Sequence, residues 1–169
     1  IAPCCWPPGE IVMFDSDNTR TFFRLEALLA GTICFWVAGM AQAGIHTWDV
    51  LEVFSNADGT IQYVELVDNG VSGGEVNVGN GSLSSSLHSI SWSNGPVTGP
   101  TNGRKYLIAT AGFAALPGAP VPDVIIPAAN VPFFNVAGDT VAFGGFDSLP
   151  FGPVPTNGVD SFDELTGVG

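Results

Sequence analysis

Glu52 and Glu65 are the residues whose type and setting first suggest chemistry. Each sits in a run of β-forming residues, WDVLEVF at 48–54 and IQYVELV at 61–67. Should the two runs pair, the carboxylates face each other. Glycosidases use such a pair at about 5 Å or about 6.5–9.5 Å, with one member kept protonated. The duller reading puts each glutamate on a solvent face or against Arg104 or Lys105. Asn56, Asp58, Asp68 and Asp139 form a second set, in turns. They offer the hard oxygens that calcium takes about six to eight at a time. Their spacing is not that of a calcium-binding helix–loop–helix, and turn capping draws on the same residue types. His46 and His88 are too few for a zinc cluster. No nucleophile elbow or phosphate-cradling glycine loop occurs, so serine catalysis and nucleotide binding have no carrier. Trp48 and Trp92 are the aromatics that could face a ligand; a flat sugar or a protein surface would suit them, and core packing is the alternative.

Short strands have to hold these residues. In 61–67, Val64 and Leu66 share one face and Tyr63 and Glu65 the other. Between the two runs lies Ser55 to Thr60, where Asp58-Gly59 signals a turn, so a hairpin is the simplest arrangement. Further strands are expected at 87–92, 104–110, 124–126 and 140–143, separated by long turn-rich stretches. A single helical turn fits 113–116, and Pro117, Pro120 and Pro122 stop anything longer. The pattern predicts an all-β fold, an immunoglobulin-like β-sandwich with long Gly/Pro-rich loops, with a jelly roll as its neighbour.

The chain has 169 residues, 46% of them hydrophobic and 12% charged. Its 22 glycines and 13 prolines argue against bundles and coiled coils. With 4 Lys+Arg against 16 Asp+Glu, net −12, it does not suit a nucleic-acid backbone or an anionic membrane. The first third differs from the rest. Residues 1–12 read as upstream or non-native sequence before Met13. Residues 13–43 read as a secretory signal peptide: a polar stretch with Arg20 and Arg24, the uncharged run ALLAGTICFWVAGM at 27–40, and an A-x-A site at 41–43. A buried helix and a membrane anchor are the rival readings of that run. Cleavage after Ala43 would remove Cys4, Cys5 and Cys34 and leave a folded domain at 44–143, with 144–169 as a Gly/Pro-rich final strand or tail. Twelve of the acids then remain beside two bases, Arg104 and Lys105.

Glu52, Val53, Asn56, Gly59, Tyr63, Val64, Glu65 and Leu66, with GRKYLI at 103–108, resemble the lamin-tail domain family over about residues 48–110. The resemblance implies an immunoglobulin-like β-sandwich. It also implies an exported, non-enzymatic role in binding, adhesion or cell-surface structure, with Glu52, Asn56, Gly59, Tyr63, Glu65 and Leu66 as structural positions. The alternatives are a carbohydrate-binding accessory module of a secreted hydrolase and a carboxylate-dependent hydrolase. The expected setting is secreted or cell-surface, with an extracellular glycan or surface protein as partner. Neither nucleic acid nor stable membrane insertion of the domain is expected, and calcium is the one cofactor that the composition suggests.

Overall fold

β-Branched and aromatic residues alternating with polar ones produce the first two strands, β1 (Trp48–Ser55) and β2 (Gln62–Asp68). The computed structural model describes residues 44–168, so the expected leader at 13–43, the segment 1–12 and the three cysteines lie outside the described residues. Eight further strands come after them: β3 (Ser82–Ser84), β4 (Ser89–Ser91), β5 (Lys105–Thr110), β6 (Val124–Ile126), β7 (Asp139–Phe143), β8 (Asp147–Phe151), β9 (Phe162–Asp163) and β10 (Gly167–Val168). One helical turn, α1 (Ala111–Ala114), lies between β5 and β6. A six-stranded sheet runs in the order β10-β9-β1-β2-β5-β6, and a four-stranded sheet runs β4-β3-β7-β8.

β1 and β2 form the expected antiparallel hairpin. Its turn is closed by Gly59 N–H donating to Asn56 O at 3.2 Å. Gly59 has φ +70°, and a Cβ there would meet Pro132 at 2.5 Å, so both backbone angle and space require glycine. The register slips between Val50 and Glu52, a bulge that leaves Leu51 unpaired and re-aims the residues after it. The inner faces of the two sheets share one core. Trp48, Val50, Val64, Leu66 and Ile108 pack there with Leu83, Val141, Phe143, Phe133 and Phe134, all fully buried. Each large side chain so buried contributes roughly 1.5–3 kcal/mol.

The immunoglobulin-like, all-β sandwich is not what this chain builds. The architecture is mixed α/β: two open, uncurled sheets and one short helix. The departure is clearest at β5 and β6, which pair in parallel, Ile108 opposite Val124 and Thr110 opposite Ile126. Parallel neighbours cannot be joined by a tight hairpin and need a crossover. That crossover holds α1, which begins where Thr110 Oγ1 accepts the Phe113 N–H at 3.3 Å. The prolines at 117, 120 and 122 come after the helical turn without preventing it. Phe113 packs on Leu107 and Ala109, with Ile61, Tyr63 and Ala119 at the margin, a small second core on the outer face of the larger sheet. Past residue 143 the chain supplies three strands. Pro150 lies within β8, an edge strand, where a missing N–H breaks no ladder bond.

Candidate functional site

After the β1 bulge, Glu52 stands opposite Glu65 on one side and Asp163 on the other. A row of carboxylates therefore crosses β9, β1 and β2 at the strand spacing of about 4.8 Å. It lies on the outer face, since Val64 and Leu66, the neighbours of Glu65, are buried on the inner one. Glu52 Oε1 accepts the Tyr63 hydroxyl at 2.5 Å. Glu65 Oε1 is ion-paired with Lys105 Nζ. Burial, then the bond to Glu52 and its charge, push the Tyr63 phenol far above its ordinary range. The bond to Glu65 raises the Lys105 ammonium above its ordinary value, against a smaller effect of burial, and the charges of Glu65, Glu52 and Asp163 add to it. One ammonium thus bonds one carboxylate and is stabilised by the charge of two more. Burial pushes the Asp163 carboxyl up but is outweighed by the N–H groups of Thr166 and Leu165, the Thr166 hydroxyl and the Lys105 charge, so it ends below its ordinary value.

The acidic surface continues along β1. Asp147 Oδ2, reaching from β8, accepts the Val50 N–H at 2.7 Å, which satisfies a strand-edge donor where β9 has not yet begun. Asp49 Oδ2 accepts from Asn69 Nδ2 at 2.6 Å. Burial first, then the charges of Asp147, Asp49 and Asp163, raise the Glu164 carboxyl. Asp49, Glu52, Glu65, Asp147, Asp163 and Glu164 are half of the twelve acids after residue 43, and Lys105 is the one lysine there to balance them. Among the described residues, one cleft forms apart from this surface and another borders it at Asp147. The first, of about 140 Å³, is lined by Asp58, Gly59, Leu87, Pro132 and Phe134. The other, about 330 Å³ and open, is lined by Ala142 and residues 144–148.

The expected paired carboxylates do meet, but Glu52 is held by a phenol and Glu65 by an ammonium, and both lie on a sheet face outside these clefts. The expected calcium ligands are dispersed. Asn56 and Asp58 share the hairpin turn: Asn56 Oδ1 accepts Ile61 N–H at 3.0 Å, and Asp58 Oδ1 accepts Thr60 N–H at 3.0 Å and its hydroxyl at 2.6 Å. Asp139 clamps two loops by accepting from Ser86 N–H and hydroxyl, Asn135 N–H and Thr140 N–H. Asp68 lies apart, buried at the end of β2. Among the described residues no three of His, Cys, Asp and Glu converge as metal ligands. Trp48 has no exposed surface to offer a ligand: it is buried edge-on to Tyr106, its Nε1 donating to Glu75 O at 2.8 Å. Trp92 is half-buried, its ring stacked with Tyr106 and with Phe143. Of the motif residues, Glu52, Tyr63 and Glu65 meet in the row, Asn56 and Gly59 build the turn, and Leu66 is core. Asp163, Asp147 and Glu164 join the site from residues 144–169, which read as a final strand or tail.

The chain matches no family model, no curated protein and no solved structure. The lamin-tail likeness rests on the residues quoted for it. The exported β-sandwich module for adhesion or surface structure, and its carbohydrate-binding and hydrolase alternatives, lose their architectural premise with the mixed fold. No helix among the described residues is long and apolar enough to cross a membrane.

Proposed function

We propose that the outer face of the six-stranded sheet recognises a ligand carrying ammonium groups, such as a lysine-rich segment. The observation that carries this reading is Lys105. The row already takes one ammonium, against Glu65, while Glu52 and Asp163 lie close enough to stabilise that same charge. Further acids along β1 leave the face strongly negative. A rigid sheet presents these carboxylates at fixed spacing, so little ordering is lost on binding. Such a face steers cations toward itself, and salt weakens the effect. The reading rests on the charge of one face, not on fold class. An exported setting, from the leader reading of 13–43, belongs to the same proposal and is checked by N-terminal sequencing of secreted protein, with Gly44 expected first.

Titration calorimetry with a hexalysine peptide tests the reading. Binding is expected at low ionic strength and weakens by about tenfold or more toward physiological salt. The double variant Glu52→Gln/Asp163→Asn should weaken it severalfold. The charge-matched Asp58→Asn/Asp139→Asn, which removes two carboxylates outside the row, should not. Equal loss in both double variants would mean that net charge alone attracts the peptide, and would end the proposal.

A further inference from the structure

Asp68 closes β2 opposite the fully buried Trp48 and is itself 1% exposed. Its Oδ1 accepts the Thr47 hydroxyl at 2.5 Å and the Gly70 N–H at 2.8 Å. Its Oδ2 is buried and accepts from nothing, the one such side-chain atom among the described residues. A buried carboxylate oxygen without a donor or a cation is strongly unfavourable, and each such atom in a folded protein calls for a missing partner.

The basic groups nearby are engaged elsewhere. Arg104 is adjacent, its carbonyl accepting the Asp68 N–H at 3.0 Å, yet its guanidinium Nη1 donates to Thr98 O at 2.6 Å. Lys105 is paired with Glu65 on the outer face, and His46 Nδ1 faces Glu75 at 3.5 Å. The 101–104 segment joins Asp68 through Gly103 N–H, which donates to Asp68 O at 2.7 Å. Thr101 is fully buried and Glu75 is 6% exposed. The Thr101 N–H donates to Gly73 O at 3.0 Å, and the Glu75 N–H to Thr101 Oγ1 at 3.1 Å, which ties the segments 68–75 and 101–104 together. Gly70 fits close over the carboxylate: a Cβ there would lie 2.6 Å from Thr47 Oγ1 and 2.9 Å from Asp68 Oδ1.

We propose that Asp68 Oδ2 ligates a calcium ion, completed by neutral oxygens of 69–75 and 101–104 and by water. Calcium takes carboxylate, carbonyl and hydroxyl oxygens in irregular numbers, whereas magnesium demands a strict octahedron and sheds water reluctantly. One unpaired carboxylate oxygen is a low ligand charge, which places affinity at the weak end, about 10⁻⁴–10⁻³ M. The inference does not rest on the outer-face reading, since Asp68 is on the opposite face of the sheet.

Terbium, which accepts the same oxygen ligands, reports the site through tryptophan, because Trp48 is the strand partner of Asp68. With the full chain, tryptophan-excited terbium emission is expected. Millimolar calcium should displace it, and sodium at equal ionic strength should not. Asp68→Asn should lower it by about tenfold or more, and Glu52→Gln/Asp163→Asn should leave it in place. Calcium should also raise the Tm of the wild-type chain and not that of Asp68→Asn. Should Asp68→Asn fail to fold, the wild-type chain decides alone: no sensitised emission, or emission that calcium does not displace, means that Oδ2 is met by water and overturns the proposal. Emission kept by Asp68→Asn and lost in the outer-row variant overturns it too, and assigns the ion to the acidic outer face.

Discussion

Gln62 and Asp68 begin and end β2, both on its buried face, yet the chain surrounds them differently. At the Gln62 end the network is complete. Nε2 donates to Ser55 Oγ at 3.1 Å and to Phe134 O at 3.0 Å, and Oε1 accepts the Phe133 N–H at 2.6 Å. The Gln62 N–H meets Thr110 Oγ1 at 3.1 Å, and that hydroxyl donates to Thr60 O at 2.9 Å. At the Asp68 end the buried group is an acid with one oxygen unmatched. A neutral, fully connected network fixes one packing of the core. It ties β2 to the Phe133–Phe134 segment, which fills the space between the sheets. An acid left one partner short does no such work, and its place is explained only by something that joins it.

Removing the complete network should cost most. Gln62→Leu keeps the bulk but leaves the Phe133 N–H and Phe134 O unpaired in the core. A loss of about 3–4 kcal/mol in urea unfolding is expected, since each buried unpaired group costs about 1–3 kcal/mol. A loss under about 1 kcal/mol would mean that water reaches this end as well, and would erase the difference between the two. Trp48→Phe comes next, at about 2 kcal/mol, because it strips the donor from buried Glu75 O and part of the contact with Tyr106. The same measurement checks it, and a neutral result would show that the Glu75 segment is not held by that bond.

The sequence made one end of this strand readable and hid the other. Alternation of Val64 and Leu66 with Tyr63 and Glu65, beside Asp58-Gly59, is strong local information, and it leads to the hairpin with Glu52 opposite Glu65. It does not lead to the directions along β1, because unbroken alternation from Glu52 would set Trp48 outside, and the bulge at Val50/Glu52 turns it inside. Asp68 reads as a turn acid; the residues that bury and bond it include Thr47 and the 101–104 segment, distant in sequence. Asp163 reaches the site through a two-residue strand, too short to carry any periodicity. The parallel β5–β6 pair was hidden because three prolines masked a crossover that needs only one helical turn.

Asp68→Asn, in chelator, should raise stability by about 1 kcal/mol, because the uncompensated buried charge is removed. The amide oxygen still serves Thr47 and Gly70, and the buried charge is gone. Urea unfolding with excess chelator measures it. A loss as large as that of Gln62→Leu would mean that Oδ2 carries a structural bond, and the two ends of β2 would then be alike.

The smallest effects come from one half-buried acid and one exposed acid and have opposite signs. Burial raises the Asp139 carboxyl, but the Asn135 and Thr140 N–H groups and Ser86 outweigh it, so it lies below 3.8. A depressed folded value gives stability that is present above the unfolded value and lost as pH falls through the folded one, so Asp139→Asn should flatten the acid limb below pH 3.8. Glu164 is the reverse case. Burial, then Asp147, Asp49 and Asp163, lift it above 4.5. Its contribution is whole below 4.5 and is lost as pH rises through the higher folded value. Glu164→Gln should therefore stabilise the chain at neutral pH, by no more than a few tenths of a kcal/mol because solvent screens the site. Thermal melts from pH 3 to 7 in low salt read both limbs. A gain from Glu164→Gln that survives high salt would point to packing as its cause, and would remove the electrostatic strain on which the acidic face depends.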